Sequence, residues 1–150
     1  MKIEDEIKQT KPISEFTKTQ VNFLYTSAYI EYKSKIFFKQ YDLSPQQYNV
    51  LRILRGIHPK CANLAYITER MIDKQSNATR LIAKLATKKL VKYNQNRDDR
   101  RHIDICINDS GLELLKIIDD TIIVEVTNTF GMLETKELEL LNSFLDRIRG

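Results

Sequence analysis

Glycine and proline are scarce in this chain, four and three residues in 150. Both punctuate turns, so their scarcity disfavours a loop-rich β fold and favours helix. Tryptophan is absent, and the aromatic residues are Tyr and Phe. Cysteine occurs twice, as Cys61 and Cys106. Two Cys so far apart make no disulfide framework, and both are expected to be small buried hydrophobes. No apolar run approaches the roughly 20 residues that cross a bilayer, so no membrane partner is expected. The opening stretch, MKIEDEIKQTK, mixes acid and base around no apolar signal-peptide core, so a cytoplasmic location is expected.

Chemistry-bearing residues are also sparse. There are two His, no Gly-rich phosphate loop and no nucleophile elbow. The adjacent Asp119 and Asp120 fall inside an amphipathic helical pattern, which makes them a solvated face. No catalytic residue and no cofactor is expected, and the chain is not read as an enzyme. His58 and Cys61 have the spacing of half a zinc site. The other half is missing unless His102 or Cys106 comes near, so no metal is expected.

What is present is an uneven distribution of charge. The net charge of +4 is modest. Residues 74–101 hold nine Lys or Arg against two Asp, a local +7. Residues 102–150 hold four Lys or Arg against ten Asp or Glu, a local −6. A positive segment of that strength beside an acidic one is the electrostatic footprint of a nucleic-acid face.

The basic segment has three parts. Residues 73–90 have helical periodicity, with Leu81 and Leu85 in an apolar stripe that Ala78 extends, and Ile82 and Ala86 beside it. Asp73 is placed to cap the start. The opposite face carries Lys74, Gln75, Asn77, Arg80, Lys84 and Lys88. A strand follows over about 90–95, then a polar tip over 96–101, then an alternating strand over 102–107. In that last strand Ile103, Ile105 and Ile107 share one face, with Asp104 and Cys106 on the other. A helix followed at once by a ribbon with a charged tip has the outline of a winged helix-turn-helix. A helix fits the DNA major groove, and an Arg-rich hairpin tip suits a narrow minor groove.

Here the chain resembles the MarR family of transcriptional regulators. Asp99-Arg100-Arg101, a short alternating strand and then Asn108-Asp109-Ser110-Gly111 before a long helix are similar to that family's wing signature. The run Ser76 to Ile82, followed by Leu85 and Lys88-Lys89-Leu90-Val91, resembles its recognition helix. The resemblance covers about 16–148. One departure is Lys89, where the family usually has Gly; Gly relieves strain in a left-handed helix cap, so Lys there should lower stability a little. The resemblance implies a single domain over 1–150: a winged-helix lobe over about 44–108, and dimerisation helices over about 14–40 and 109–149. It also implies that Asp99 is structural and holds an Arg in place, and that Arg100 and Arg101 offer a guanidinium to the minor groove, without saying which one enters it.

The remaining elements agree with that outline. A long aromatic-rich helix is expected from Ser14 to about Gln40, with Phe16, Val21, Leu24, Ala28 and Phe38 as a buried stripe. The twelve residues before it carry no strong pattern and are expected to be a mobile arm or a frayed turn. Ser44, Pro45 and Gln47 make a strong helix start, with burial expected at Tyr48, Leu51 and Leu54. Asn63 caps the next helix, which buries Leu64, Ile67 and Met71; its amide end makes Asn63 a candidate phosphate contact. Asn108 is expected to cap a long helix to about 128, and a last helix runs over about 135–149. The apolar faces of these two are wide enough to need a second copy as cover.

The fold class expected is therefore mainly α with a small β-hairpin wing. The function expected is sequence-specific binding of double-stranded DNA by a homodimer at an inverted repeat, as a ligand-responsive repressor. Gln75, Ser76, Asn77, Thr79 and Arg80 are candidates for base edges or the phosphates beside them. Lys74, Lys84, Lys88 and Arg97 are candidates for phosphate. Tyr25 and Tyr29 are candidates to line a small aromatic effector's site; packing at a subunit interface is the plainer reading of the same residues. The alternatives are a winged helix used for protein contact or for RNA, and a small enzyme.

Overall fold

The structure, a computed structural model, describes residues 2–95 and 103–150. Its elements are α1 (Ile3–Glu6), α2 (Glu15–Lys39), α3 (Pro45–Arg55), α4 (Leu64–Arg70), α5 (Ala78–Thr87), β1 (Val91–Gln95), β2 (Ile103–Ile107), α6 (Asp109–Phe130) and α7 (Thr135–Arg149). The fold is mainly helical with one antiparallel two-stranded wing, as expected. The chain divides into two compact units, Met1–Pro45 and Gln46–Gly150.

In the first unit, Ser14 caps α2 by accepting from the Thr17 N–H at 3.2 Å. The segment before it is not a mobile arm. It forms α1, whose Ile3 is buried. Glu4 pairs with Lys18 at 2.5 Å, and the Tyr25 hydroxyl donates to Glu6 at 2.7 Å, which ties α1 to α2. The expected buried stripe of α2 is also corrected. Phe38 is buried and Phe37 joins it, but Phe16, Leu24 and Ala28 are exposed. Asp42 takes a left-handed conformation (φ +52°) that turns the chain out of α2 and lets the Leu43 N–H donate to the Phe38 carbonyl.

In the second unit, the core takes Val50, Leu51 and Leu54 from α3, Ile67 from α4, and Ile82 and Leu85 from α5, with Leu115 and Ile118 from α6. Leu51 and Leu54 are buried as expected, Tyr48 only half so; Ile67 and Met71 are buried, while Leu64 is 41% exposed. Asp119 is not simply a solvated carboxylate. It accepts two hydrogen bonds from Arg55, at 2.6 and 3.2 Å, which join α3 to α6. The Arg55 guanidinium holds the Asp119 carboxyl below its usual value, and the carboxylate in turn raises Arg55.

The wing pairs Val91 with Ile107 and Gln95 with Ile103. Its β2 strand departs from simple alternation: Ile105, Cys106 and Ile107 are all buried and Ile103 is exposed. The reason is a third segment. Ala62 exchanges backbone hydrogen bonds with Ile105, at 2.9 and 2.7 Å, and pairs along the free edge of β2. In antiparallel register this makes Cys61 the neighbour of Cys106, and the two form a disulfide, with Cα atoms 4.5 Å apart. The expectation of two unconnected thiols is thus overturned by a pairing that sequence separation hid.

Helix α5 ends in a Schellman motif. The Leu90 N–H donates to Leu85 O at 3.0 Å and the Lys89 N–H to Ala86 O at 2.9 Å. Lys89 occupies the left-handed position, at φ +59°. Asn108 stands at the N-cap of α6, but its side chain does not cap; its amide donates to Lys89 O at 3.0 Å. Gly111 then passes so close to the wing base that a Cβ there would lie 2.5 Å from Leu90 O.

A left-handed L-residue costs about 1–2 kcal/mol, and Gly escapes most of it. Lys89→Gly is therefore expected to raise stability by about 1 kcal/mol, read as a higher denaturation midpoint at unchanged slope. No gain would mean that the Lys89 side chain offsets the strain.

Candidate nucleic-acid interface

The turn between α4 and α5 is built by Asp73. Its carboxylate accepts from the Gln75 N–H at 3.0 Å and from the Ser76 hydroxyl at 2.6 Å. Those bonds, the Ser76 one first, hold the Asp73 carboxyl below its ordinary value. The turn is docked on α3 through the Ile72 N–H, which donates to Asn49 Oδ1 at 2.9 Å. Asp73 therefore does not cap the helix; it makes an Asx turn, a competing local use of the same side chain. Helix α5 starts five residues later, where Asn77 Oδ1 accepts from the Arg80 N–H at 2.9 Å.

This shift re-sorts the expected contacts. Lys74, Gln75 and Ser76 lie on the turn, and Asn77 is the cap. Thr79, Arg80 and Lys84 lie on the helix and are exposed. The buried side of α5 is Ala78, Ile82 and Leu85, with Leu81 half-buried, so the stripe sits one residue round from the one periodicity picked out. Gln75 is exposed, whereas the Ser76 hydroxyl is engaged by Asp73. The Lys74 ammonium donates to the Glu69 carbonyl at the end of α4. Lys88 is half-buried at the C-cap of α5. Asn63 is the cap of α4, its Oδ1 accepting from the Tyr66 N–H at 2.8 Å. Arg97, Asp99, Arg100 and Arg101, expected at the wing tip, lie outside the described residues.

Spacing did not reveal two further features. Leu64, Thr79, Ile82, Tyr93, Ile103 and Ile105 line a shallow, mostly apolar notch of about 210 Å³ where α5 meets the wing. Lys60, Lys89 and Lys92 line one open cleft of about 500 Å³ beside the disulfide. Each is lined by residues from separate elements, which no local pattern announces. Among the described residues, no group of His, Cys, Asp and Glu is arranged to hold a metal ion, and no helix is long and apolar enough to cross a membrane.

No protein-family model and no curated protein matches the chain by sequence. Many solved structures share its fold. A MarR transcription factor from Planctomyces limnophilus is 28% identical, with a TM-score of 0.70, over 91% of this chain and 98% of that one. MepR of S. aureus, solved as a complex with DNA, is 18% identical with a TM-score of 0.76, over 91% and 97% of the two chains. BpsR of Bordetella bronchiseptica, whose DNA binding is regulated by 6-hydroxynicotinic acid, is 22% identical with a TM-score of 0.70, over 87% and 99%. The resemblance first seen in the wing and recognition-helix residues is thus borne out along nearly the whole chain.

The cap assignment has a direct consequence. Asn77→Ala removes the acceptor for the Arg80 N–H and is expected to cost about 1 kcal/mol, whereas Asn77→Ser should cost a few tenths. Equal denaturation midpoints for the two variants would show that Asn77 does not cap α5.

Proposed function

We infer that this chain, whose fold is that of the MarR family of transcriptional regulators, binds duplex DNA and regulates transcription as a homodimer. One observation carries the reading. Helix α5 buries Ala78, Ile82 and Leu85 in the lobe and leaves Thr79, Arg80 and Lys84 exposed together, beside an exposed Gln75. The result is a short, rigid rod with a polar and cationic outer face, which suits the major groove. Arg80 and Thr79 are assigned to base edges or adjacent phosphates, with Gln75 and Ser76 at the leading turn. Lys74, Lys84 and Asn63 are assigned to phosphate positioning, as is Arg97. Asn77 contributes mainly by holding the start of α5. Arg100 and Arg101 are assigned to the minor groove, with Asp99 positioning them, on the strength of the wing signature.

A second copy of the chain is the proposed cover for the apolar faces that one copy leaves open. Helix α7 buries no residue, and Leu140, Phe144 and Ile148 are 54%, 46% and 71% exposed. On α6, Ile117, Ile123 and Val124 are exposed, as are Phe16, Phe23 and Leu24 on α2. Patches of this extent on a chain without a membrane-spanning helix mark an association surface. Two recognition helices in a two-fold dimer call for an inverted repeat with half-sites about 10 bp apart. Repression relieved by a small aromatic effector is the proposed mode, supported by the ligand that regulates BpsR, with Tyr25 and Tyr29 proposed to line the site. An effector acts by favouring one dimer shape over another.

Affinity for duplex DNA should fall steeply as salt rises, with a log–log slope of about −0.9 per neutralised phosphate. A flat salt response would favour a protein partner instead. Arg80→Ala should weaken operator binding by roughly 1–3 kcal/mol and relax preference at one or two base positions; an equal loss on scrambled DNA would remove Arg80 from base reading.

Sedimentation should give twice the chain mass, and Phe144→Asp with Ile148→Asp should give a single-chain mass. A wild-type monomer at micromolar concentration would overturn the dimer.

A further inference from the structure

The Cys61–Cys106 bond stands at a junction. Cys61 lies between the His58–Pro59 turn and Asn63, the cap of α4; Cys106 lies in β2, the outgoing strand of the wing. The two residues are 45 apart in sequence, and the segment they close contains α4, the Asp73 turn, α5, β1 and the wing tip. Every residue assigned above to DNA is therefore inside this covalent loop. Apart from the bond, among the described residues the backbone pairing of this segment with the wing is the isolated bridge of Ala62 with Ile105.

The bond is also reachable. Both cysteines line the open cleft of about 500 Å³, together with three cations, Lys60, Lys89 and Lys92, against one carboxylate, Asp109. Cys61 is only half-buried, whereas Cys106 is 6% exposed. Positive charge beside a cysteine favours the thiolate, which is the form that attacks peroxides and exchanges with disulfides. A protein that binds chromosomal DNA works where thiols are kept reduced, and cysteine pairs there that form disulfides are usually transient ones. A permanent structural bond fits neither the compartment nor the open cleft.

We propose that Cys61 and Cys106 form a reversible dithiol–disulfide switch that clamps the wing to the start of α4 and so raises affinity for DNA. In the closing step, the Cys61 thiolate attacks the outer oxygen of a hydroperoxide. The O–O bond breaks, the alcohol (or water) leaves with a proton, and Cys61 becomes a sulfenic acid. The Cys106 sulfur then attacks the Cys61 sulfur, expels hydroxide and loses its own proton, which together make water. Two thiols have given up two electrons, and the hydroperoxide has taken them. Opening is thiol–disulfide exchange with a dithiol reductant, which gives two electrons and two protons to the cysteine sulfurs and is itself oxidised to a disulfide. With the clamp closed, the wing meets DNA already oriented; with it open, ordering the wing opposes binding.

The DNA part of this inference and the argument from compartment rest on the function proposed above; the open cleft and the half-buried Cys61 do not. The full-length protein is treated with hydrogen peroxide or with dithiothreitol, and thiols are counted by alkylation and mass spectrometry. Two thiols should appear on reduction and vanish on oxidation without unfolding. Binding to a duplex carrying the inverted repeat, by fluorescence anisotropy, should be about fivefold or more tighter for the oxidised protein. Cys61→Ser with Cys106→Ser should match the reduced protein and ignore peroxide. Hydrogen exchange at Ala62 and Ile105 should be slower in the oxidised form. A pair that does not cycle in the folded protein overturns the switch, as does equal or weaker binding by the oxidised form. If neither form binds any duplex at low salt, the DNA reading fails. The clamp is then judged on hydrogen exchange, and unchanged protection at Ala62 and Ile105 overturns it as well.

Discussion

The second unit turns on one carbonyl and one left-handed residue. Lys89 at φ +59° reverses the chain at the end of α5, and Leu90 follows it into the core. The Leu90 carbonyl then accepts from the Asn108 N–H at 2.9 Å, and Gly111 packs against it from the first turn of α6. Recognition helix, wing and C-terminal helix thus meet within van der Waals reach of a single peptide group. Any side chain at 111 would force them apart, because a Cβ would also lie 2.8 Å from Ile107. The Asn and Gly of the wing signature acquire physical content here: one closes the Lys89 carbonyl, the other permits close approach.

Around that junction, local hydrogen bonds decide which polar groups are free for another molecule. Asn63, Asp73 and Asn77 each satisfy backbone amides at a helix start or a turn, where unpaired donors are costly. Gln75, Thr79, Arg80 and Lys84 remain exposed. A helical projection of the segment puts Asn77 on the same outer face as Arg80 and Lys84 and does not show that it serves as the cap. The division between scaffold and reader follows from where α5 begins, and that is set by competition between Asp73 and Asn77 for the same role.

The exposed apolar faces of α2, α6 and α7 belong to a different balance. A chain that leaves Phe16 91% and Ile148 71% exposed has not completed its burial alone. The Arg55–Asp119 pair joins α3 to α6 with two hydrogen bonds, so the lobe and the first part of the long helix are tied together. A dimer built on these helices would therefore pass a change in their spacing to the reading surface through a charged, partly buried contact.

The elements from α2 onward, their order and the wing were legible in the residues because they rest on short-range periodicity: helices at three and four, strands at two, helix starts at Ser14, Pro45 and Asn63. The basic face was legible for the same reason, since charge along a helix is a property of neighbours. The strain at Lys89 was legible too, as a residue out of place in a turn that favours Gly. Besides α1, three features were not. The start of α5 depended on which of two acceptors, four residues apart, won the backbone amides. The role of Asp119 depended on Arg55, in another helix. The Cys61–Cys106 bond depended on Ala62 finding Ile105 across the whole reading segment. Pattern along the chain determined what forms locally and which side faces out. Which distant side chains meet was decided only by packing, because burial of the shared core brings together groups whose separation in sequence carries no signal.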